Sequence, residues 1–189
     1  MKKTISRREK VLRTALQLVA NGGFQGAPIA ELAAKSKVAV GTIYHHFSNK
    51  DEMVAAMYLM CKENLAEALA GALDDKASGN KKFEKVWSAF MDFASKSAVE
   101  FSFLDQYKSS PLITAAVSKS ADKFDAALVK YFADGAKSKE FAKADASQLV
   151  EFFYANAFNA ARILSRGKKK SSAKDVEIYR DLTWSGLKK

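Results

Sequence analysis

Two adjacent histidines, His45 and His46, stand in the stretch "VAVGTIYHHFSNKDEM", residues 38–53, beside Tyr44 and Phe47 and shortly before Lys50. Imidazoles and a phenol can transfer protons, hold a metal or touch a nucleic acid. Consecutive helix positions point about 100° apart, so His45 and His46 cannot share one ion. No Cys/His/Asp/Glu group at ligand spacing lies nearby. Catalysis also lacks its parts, because no nucleophile–base pair, paired carboxylates or Gly-rich phosphate loop accompanies them. The expectation is no metal, no cofactor and no enzyme: the stretch reads as a contact surface. Cys61, the single cysteine, sits mid-helix beside Lys62 and Glu63 and reads as a small packed residue. It leaves no disulfide framework, which fits a reducing, cytoplasmic location.

Charge placement says what such a surface would meet. The formal net charge is +10, and residues 1–50 hold nine Lys/Arg (Lys2, Lys3, Arg7, Arg8, Lys10, Arg13, Lys35, Lys37, Lys50) against Glu9 and Glu31. The rest of the chain is near balance. A basic front end of this kind fits phosphate binding, since each neutralised phosphate releases condensed counterions; a solubilising surface is the alternative. The basic start resembles a signal peptide, but Arg13, Gln17 and Asn21 interrupt any apolar region, so export is not expected. No apolar run is long enough to span a bilayer, and no membrane association is expected.

The elements that must position these residues read as helices. With two prolines and nine glycines in 189 residues, little breaks them. Leu12, Ala15, Leu16 and Val19 fall at i, i+3, i+4 and i+7, predicting a helix from about Ser6 that stops at Gly22-Gly23. Pro28 belongs in the first turn of a second, short helix carrying Ile29, Leu32 and Ala33, which fades near Ser36. A third runs from about Ala39 to Phe47, with Ile43 and Phe47 on one side. Asn49 with Glu52 has capping-box spacing and opens a long helix with Met53, Met57, Leu65 and Leu69. Eleven of the thirteen phenylalanines lie beyond residue 80. Helical patterns follow in "FEKVWSAFMDFASKS", after Ser110-Pro111, in "ASQLVEFFYANAFNAARIL" and in "AKDVEIYRDLTWSGL"; "AVEFSFLDQYKSS" suggests one more short helix, and "SRGKKKSS" a solvated loop.

Three short helices with the tightest turn between the second and third make a helix-turn-helix candidate. Ala33 suits the helix crossing and Ile43 the seat of the third helix, whose N-terminal residues would lie in a major groove. Thr42, His45 and His46 are then available to DNA, Tyr44 can reach a phosphate, Lys50 sits where the backbone passes, and Gly41 permits close approach. "GTIYHHF", "NKDEM" and Leu32-Ala33 together resemble the N-terminal signature of the TetR family of bacterial ligand-responsive transcriptional regulators over roughly residues 10–55. Two positions depart from it. Lys37 stands where the family has a turn glycine, and Ala39 where it has a polar N-cap. Each costs about 1 kcal/mol, and Lys37 can add a phosphate contact.

The resemblance implies an all-α fold of about nine helices: a three-helix DNA-binding domain over residues 1–50, and a helical ligand-binding and dimerisation domain over 51–189. It implies a homodimer on double-stranded operator DNA, acting as a repressor released by a small effector. It also implies a pocket among the C-terminal aromatics, with candidates Trp87, Phe90, Met91, Phe103, Tyr107, Phe124, Tyr154 and Phe158. Gln106, Tyr107, Asn156 and Asn159 are the polar groups among them expected to orient a largely apolar, neutral or cationic ligand. The helix around "YANAFNAA" is apolar on two faces and must be covered on both. Phe153, Ala157, Ala160, Ala161 and Leu164, with Tyr179 and Thr183 from the last helix, are the expected dimer interface. The alternatives are a helical small-molecule carrier, which leaves the basic head unexplained, and a non-specific architectural DNA binder.

Overall fold

Ser6 opens the first helix, α1 (Arg7–Gly22): the Glu9 N–H donates to its hydroxyl (3.1 Å). Val11, Leu12, Ala15, Leu16, Leu18 and Val19 are buried along one side, the stripe that the apolar spacing dictates. The computed structural model describes residues 5–22, 28–166 and 172–189. Lys2, Lys3, Gly23 and most of the "SRGKKKSS" loop therefore lie outside the described residues.

Helix α2 (Ile29–Ser36) starts directly after Pro28, which is its extended N-cap and stands just before the first turn. The difference from expectation is one position, and neither place needs the N–H that proline lacks. Lys37 closes α2 in the left-handed region (φ 54°), and the Val38 N–H returns to the Ala33 carbonyl (3.2 Å). Helix α3 (Val40–His46) follows after Ala39, whose side chain supplies no cap. Helix α4 (Lys50–Leu73) is capped by Asn49, which accepts from the Glu52 N–H (2.8 Å). The reciprocal bond is shifted by one residue, since the Glu52 carboxylate accepts from Ser48 N–H (2.8 Å). The orphan donors of the first turn are satisfied either way.

The remaining helices are α5 (Gly79–Lys96), α6 (Ala98–Tyr107), α7 (Ala115–Lys137), α8 (Ala146–Arg166) and α9 (Ala173–Leu187). Among the described residues the fold is thus all-α with nine helices, plus one isolated antiparallel bridge between Phe141 and Lys188. The start of α7 is displaced from Pro111 to Ala115. Residues 110–113 turn instead, with the Ile113 N–H on the Ser110 carbonyl (2.9 Å), and the Thr114 hydroxyl caps the helix by accepting from Val117 N–H (3.4 Å).

The chain divides into two compact units. The first comprises Met1–Lys62 and Val99–Ser120. In it α1, α2 and α3 pack pairwise, and the opening of α4 buries Met53, Val54, Met57 and Cys61. Cys61 is wholly buried; desolvation raises its thiol pKa, with a smaller push from Glu100. It is an inert packed residue.

The second unit comprises Glu63–Ala98 and Ala121–Lys189. Here α5, α8 and α9 pack pairwise around Phe153, whose ring centroid lies 5.9 Å from those of Phe90 and Phe132 and 6.1 Å from that of Phe83. At the end of α7 the chain turns through Lys139 (φ 65°). Phe141 then lies back against Gly135, where an added Cβ would overlap its ring. Ala142 N–H donates to the Leu187 carbonyl (2.8 Å) and Lys189 N–H to that of Glu140 (3.2 Å), tying the last residues of the chain to this turn.

Candidate nucleic-acid interface

Helix α3 is seven residues long and buries one side only. Ile43 is fully buried and Phe47, its C-cap, nearly so. With that side anchored on α1 and α2, the other positions of "GTIYHHF" must face away. Tyr44 is 54% exposed. Gly41 and His45 are exposed and Thr42 and His46 half-buried. Lys37 and Lys50, at the two ends of the motif, are exposed as well. All seven residues expected to contact DNA therefore have accessible surface in the first unit.

The charge around α3 is almost wholly positive. Glu9 and Glu31, the two carboxylates before residue 50, are each neutralised one helical turn on, by Arg13 (2.9 Å) and Lys35 (2.8 Å). Such exposed i,i+4 pairs add little stability, but they cancel the local negative charge. Arg7 and Arg8 have no ion-pair partner among the described residues. The Arg8 guanidinium lies over the Phe47 ring, 5.2 Å from its centroid, a cation–π contact between the start of α1 and the end of α3. Together with Gly41, Thr42, His45 and His46, the two arginines line an open cleft of about 560 Å³. Sequence reasoning did not place them beside α3. It counted them as charge, and no local motif says that the first turn of α1 lies beside α3.

This geometry, a buried Ile43/Phe47 seat under an exposed basic helix, coincides with a recognised pattern. Residues 11–57 match the description "Bacterial regulatory proteins, tetR family". Over this head the chain is similar to the TetR family. The uncharacterized HTH-type transcriptional regulator YvdT of Bacillus subtilis is 28% identical over 91 residues, covering 48% of this chain and 45% of that protein. The chain thus spans about half the length of the curated relatives it matches. The TetR-like fold extends much further. A solved structure assigned to the tetR family from Shewanella sp. PV-4 superposes with a TM-score of 0.86 at 23% identity, over 96% of this chain and 98% of that one. A TetR-family transcriptional regulator from Haemophilus influenzae Rd does so at 0.79 and 21%, over 97% of both.

In the second unit, four of the expected ligand residues lie together. Phe90 is 5.2 Å from Phe158 and 6.2 Å from Tyr154, ring to ring, and Trp87 packs on the same Phe153 ring (6.3 Å). The Tyr154 hydroxyl donates to Asp125 Oδ1 (2.7 Å). Trp87 Nε1–H is buried without a hydrogen-bond partner among the described residues. Met91 and Phe124 are half-buried, the latter under the Lys123 ammonium (4.8 Å). Phe103 and Tyr107 belong to the first unit, stacked on each other at 4.4 Å. Three of the polar groups expected to orient a ligand are placed otherwise. Gln106 and Asn159 are exposed, and the Asn156 amide donates to the Phe152 carbonyl of its own helix (2.7 Å).

The residues expected at a dimer surface lie mostly inside the single chain. Phe153, Ala157, Ala160, Ala161 and Thr183 are buried within the single chain, and Leu164 and Tyr179 are half-buried. The packing of α8 against α5 and α9 covers most of its apolar residues internally. What these helices leave outside is Phe152 and Ile163 on α8 and Ile178 and Leu182 on α9, the last 65% exposed. Among the described residues no group of His, Cys, Asp and Glu is placed to hold a metal, and no helix is long and apolar enough to cross a membrane.

Proposed function

We propose that the protein is a homodimeric DNA-binding transcriptional regulator, a repressor released from its operator by a small, largely apolar ligand. One observation carries the DNA-binding reading: α3 is held by Ile43 and Phe47 while Thr42, Tyr44, His45 and His46 face outward within a basic head. In this reading α3 enters the major groove, Tyr44, Lys37 and Lys50 contact phosphates, and Gly41 allows the backbone to approach. Residues 1–50 do this work, and residues 51–189 carry the ligand and the second chain.

The exposed apolar side chains Phe152, Ile163, Ile178 and Leu182 support pairing of α8 and α9 with their symmetry mates, because large aliphatic groups gain most by leaving water. The ligand reading is supported by the rings of Phe90, Tyr154 and Phe158 and by the solitary Trp87 N–H, a donor that a ligand acceptor would satisfy. Coupling follows from linkage: a ligand that favours the form unable to bind DNA is itself bound more weakly when DNA is present. Helix α4, which contributes residues to both units, is the segment through which the two would communicate.

Duplexes selected from a random pool test the whole reading. Tyr44→Ala and Lys50→Ala are expected to weaken binding of the selected duplex by about ten- to a hundredfold each, on the scale of a lost phosphate or base contact. The far-UV helical signal should not change. Full affinity in both variants would remove α3 from the interface.

A further inference from the structure

The cleft at the start of α1 is lined by two guanidiniums and two imidazoles and by no carboxylate. The His45 and His46 ring centroids are 5.6 Å apart, and Arg8 is fixed beside them by its contact with Phe47. The other charged groups on the elements packed against α3 are Lys10 and the Glu9–Arg13 pair on α1, the Glu31–Lys35 pair on α2, and Lys37. Lys50, Asp51 and Glu52 open the helix that follows. A backbone phosphate entering this cleft would bring negative charge against both imidazoles, and a nearby opposite charge favours the charged form of a side chain.

We infer that DNA binding by this protein is proton-linked: His45 and His46 take up protons as a phosphate settles between α1 and α3, so affinity rises as pH falls. The inference rests on the DNA-binding reading and adds its regulation. The sign follows from linkage. A group that holds its proton more tightly in the complex than in the free protein strengthens binding at low pH, and the gain is lost as pH rises. Histidine is the side chain whose charge changes in the physiological range, whereas the arginines stay charged throughout. The arginines then set basal affinity and the histidines set its slope against pH.

The test uses the full chain and a duplex selected at neutral pH. Its dissociation constant is measured at about pH 6, 7 and 8 at constant ionic strength, across the range in which imidazoles titrate. Each imidazole whose proton affinity rises by one pH unit contributes up to about a tenfold change per head. The wild type should therefore bind markedly more tightly at the acid end. The His45→Gln/His46→Gln double variant, whatever its absolute affinity, should show a flatter profile. Binding heats in two buffers of different ionisation enthalpy count the protons taken up by the wild type directly. Parallel profiles for wild type and variant, or zero proton uptake, would overturn the linkage and leave the DNA-binding reading standing. Failure of the wild type to retain any duplex at any pH would overturn both.

Discussion

In α3 and its cap, Ile43 and Phe47 are buried while Tyr44, His45 and Gly41 stand in solvent; in α8, Phe153, Ala157, Phe158, Ala160 and Ala161 are all buried within the chain. Both helices were flagged in the sequence as candidate contact surfaces, the first for its polar and aromatic residues and the second for its excess of apolar ones. Only the first presents the residues that drew attention to it. A short helix with one apolar stripe needs one neighbour, and its remaining sides are left for a partner. A long helix with two apolar faces recruits neighbours from its own chain first, and here α5 and α9 cover it. An excess of apolar residues therefore identifies a core before it identifies an interface.

The strongest challenge to this contrast is Phe153→Ala. If α8 is core, removing the ring at the centre of the aromatic cluster should cost about 3–5 kcal/mol in chemical denaturation. A loss below about 1 kcal/mol, the level of a surface change, would return Phe153 to the list of interface residues. Next in size is the change expected at the outer face. Ile178→Lys with Leu182→Lys should convert a dimer into a monomer by sedimentation while leaving helicity intact. Ala160→Leu should instead destabilise the fold by about 1–3 kcal/mol through overpacking, without changing the assembly of the molecules that fold.

Smaller effects sharpen the other side of the comparison. Lys37 occupies a left-handed turn that glycine adopts freely, so Lys37→Gly should raise head stability by up to about 1 kcal/mol, read as a higher midpoint. The same variant removes one cation from the proposed DNA face, so its duplex affinity should fall as its stability rises. The smallest expected change is at the start of α9. There the Ser172 N–H and hydroxyl both donate to the Asp175 carboxylate (2.8 Å each), and these bonds, the backbone one foremost, lower its pKa. A depressed carboxylate pKa stabilises the fold above the unfolded-state value and loses that contribution as pH falls through the folded one. The acid limb of thermal stability should therefore flatten slightly in Asp175→Asn, measured by midpoint against pH.

Much of the head was legible because its signals are local. Capping at Asn49 and Glu52, the apolar stripe of α1, the left-handed strain at Lys37 and the one-sidedness of α3 all follow from residues within a turn or two of each other. The short helix α6 was legible for the same reason. Where a boundary moved, as from Pro111 to Ala115, a competing hydroxyl cap at Thr114 decided it. Arg7 and Arg8 were visible only as charge, because nothing within α1 says which helix its first turn will meet.

By itself, then, the sequence determined the helices, the polarity of each face, and a positive head carrying one exposed contact helix, since these depend on periodicity and neighbouring side chains. Tertiary structure alone decided which apolar face of α8 and α9 remained outside, which of the aromatics packed around Phe153, and that two arginines and two histidines would share a cleft. Those outcomes depend on contacts between residues far apart in the chain, and no periodic pattern within a single helix specifies its neighbours.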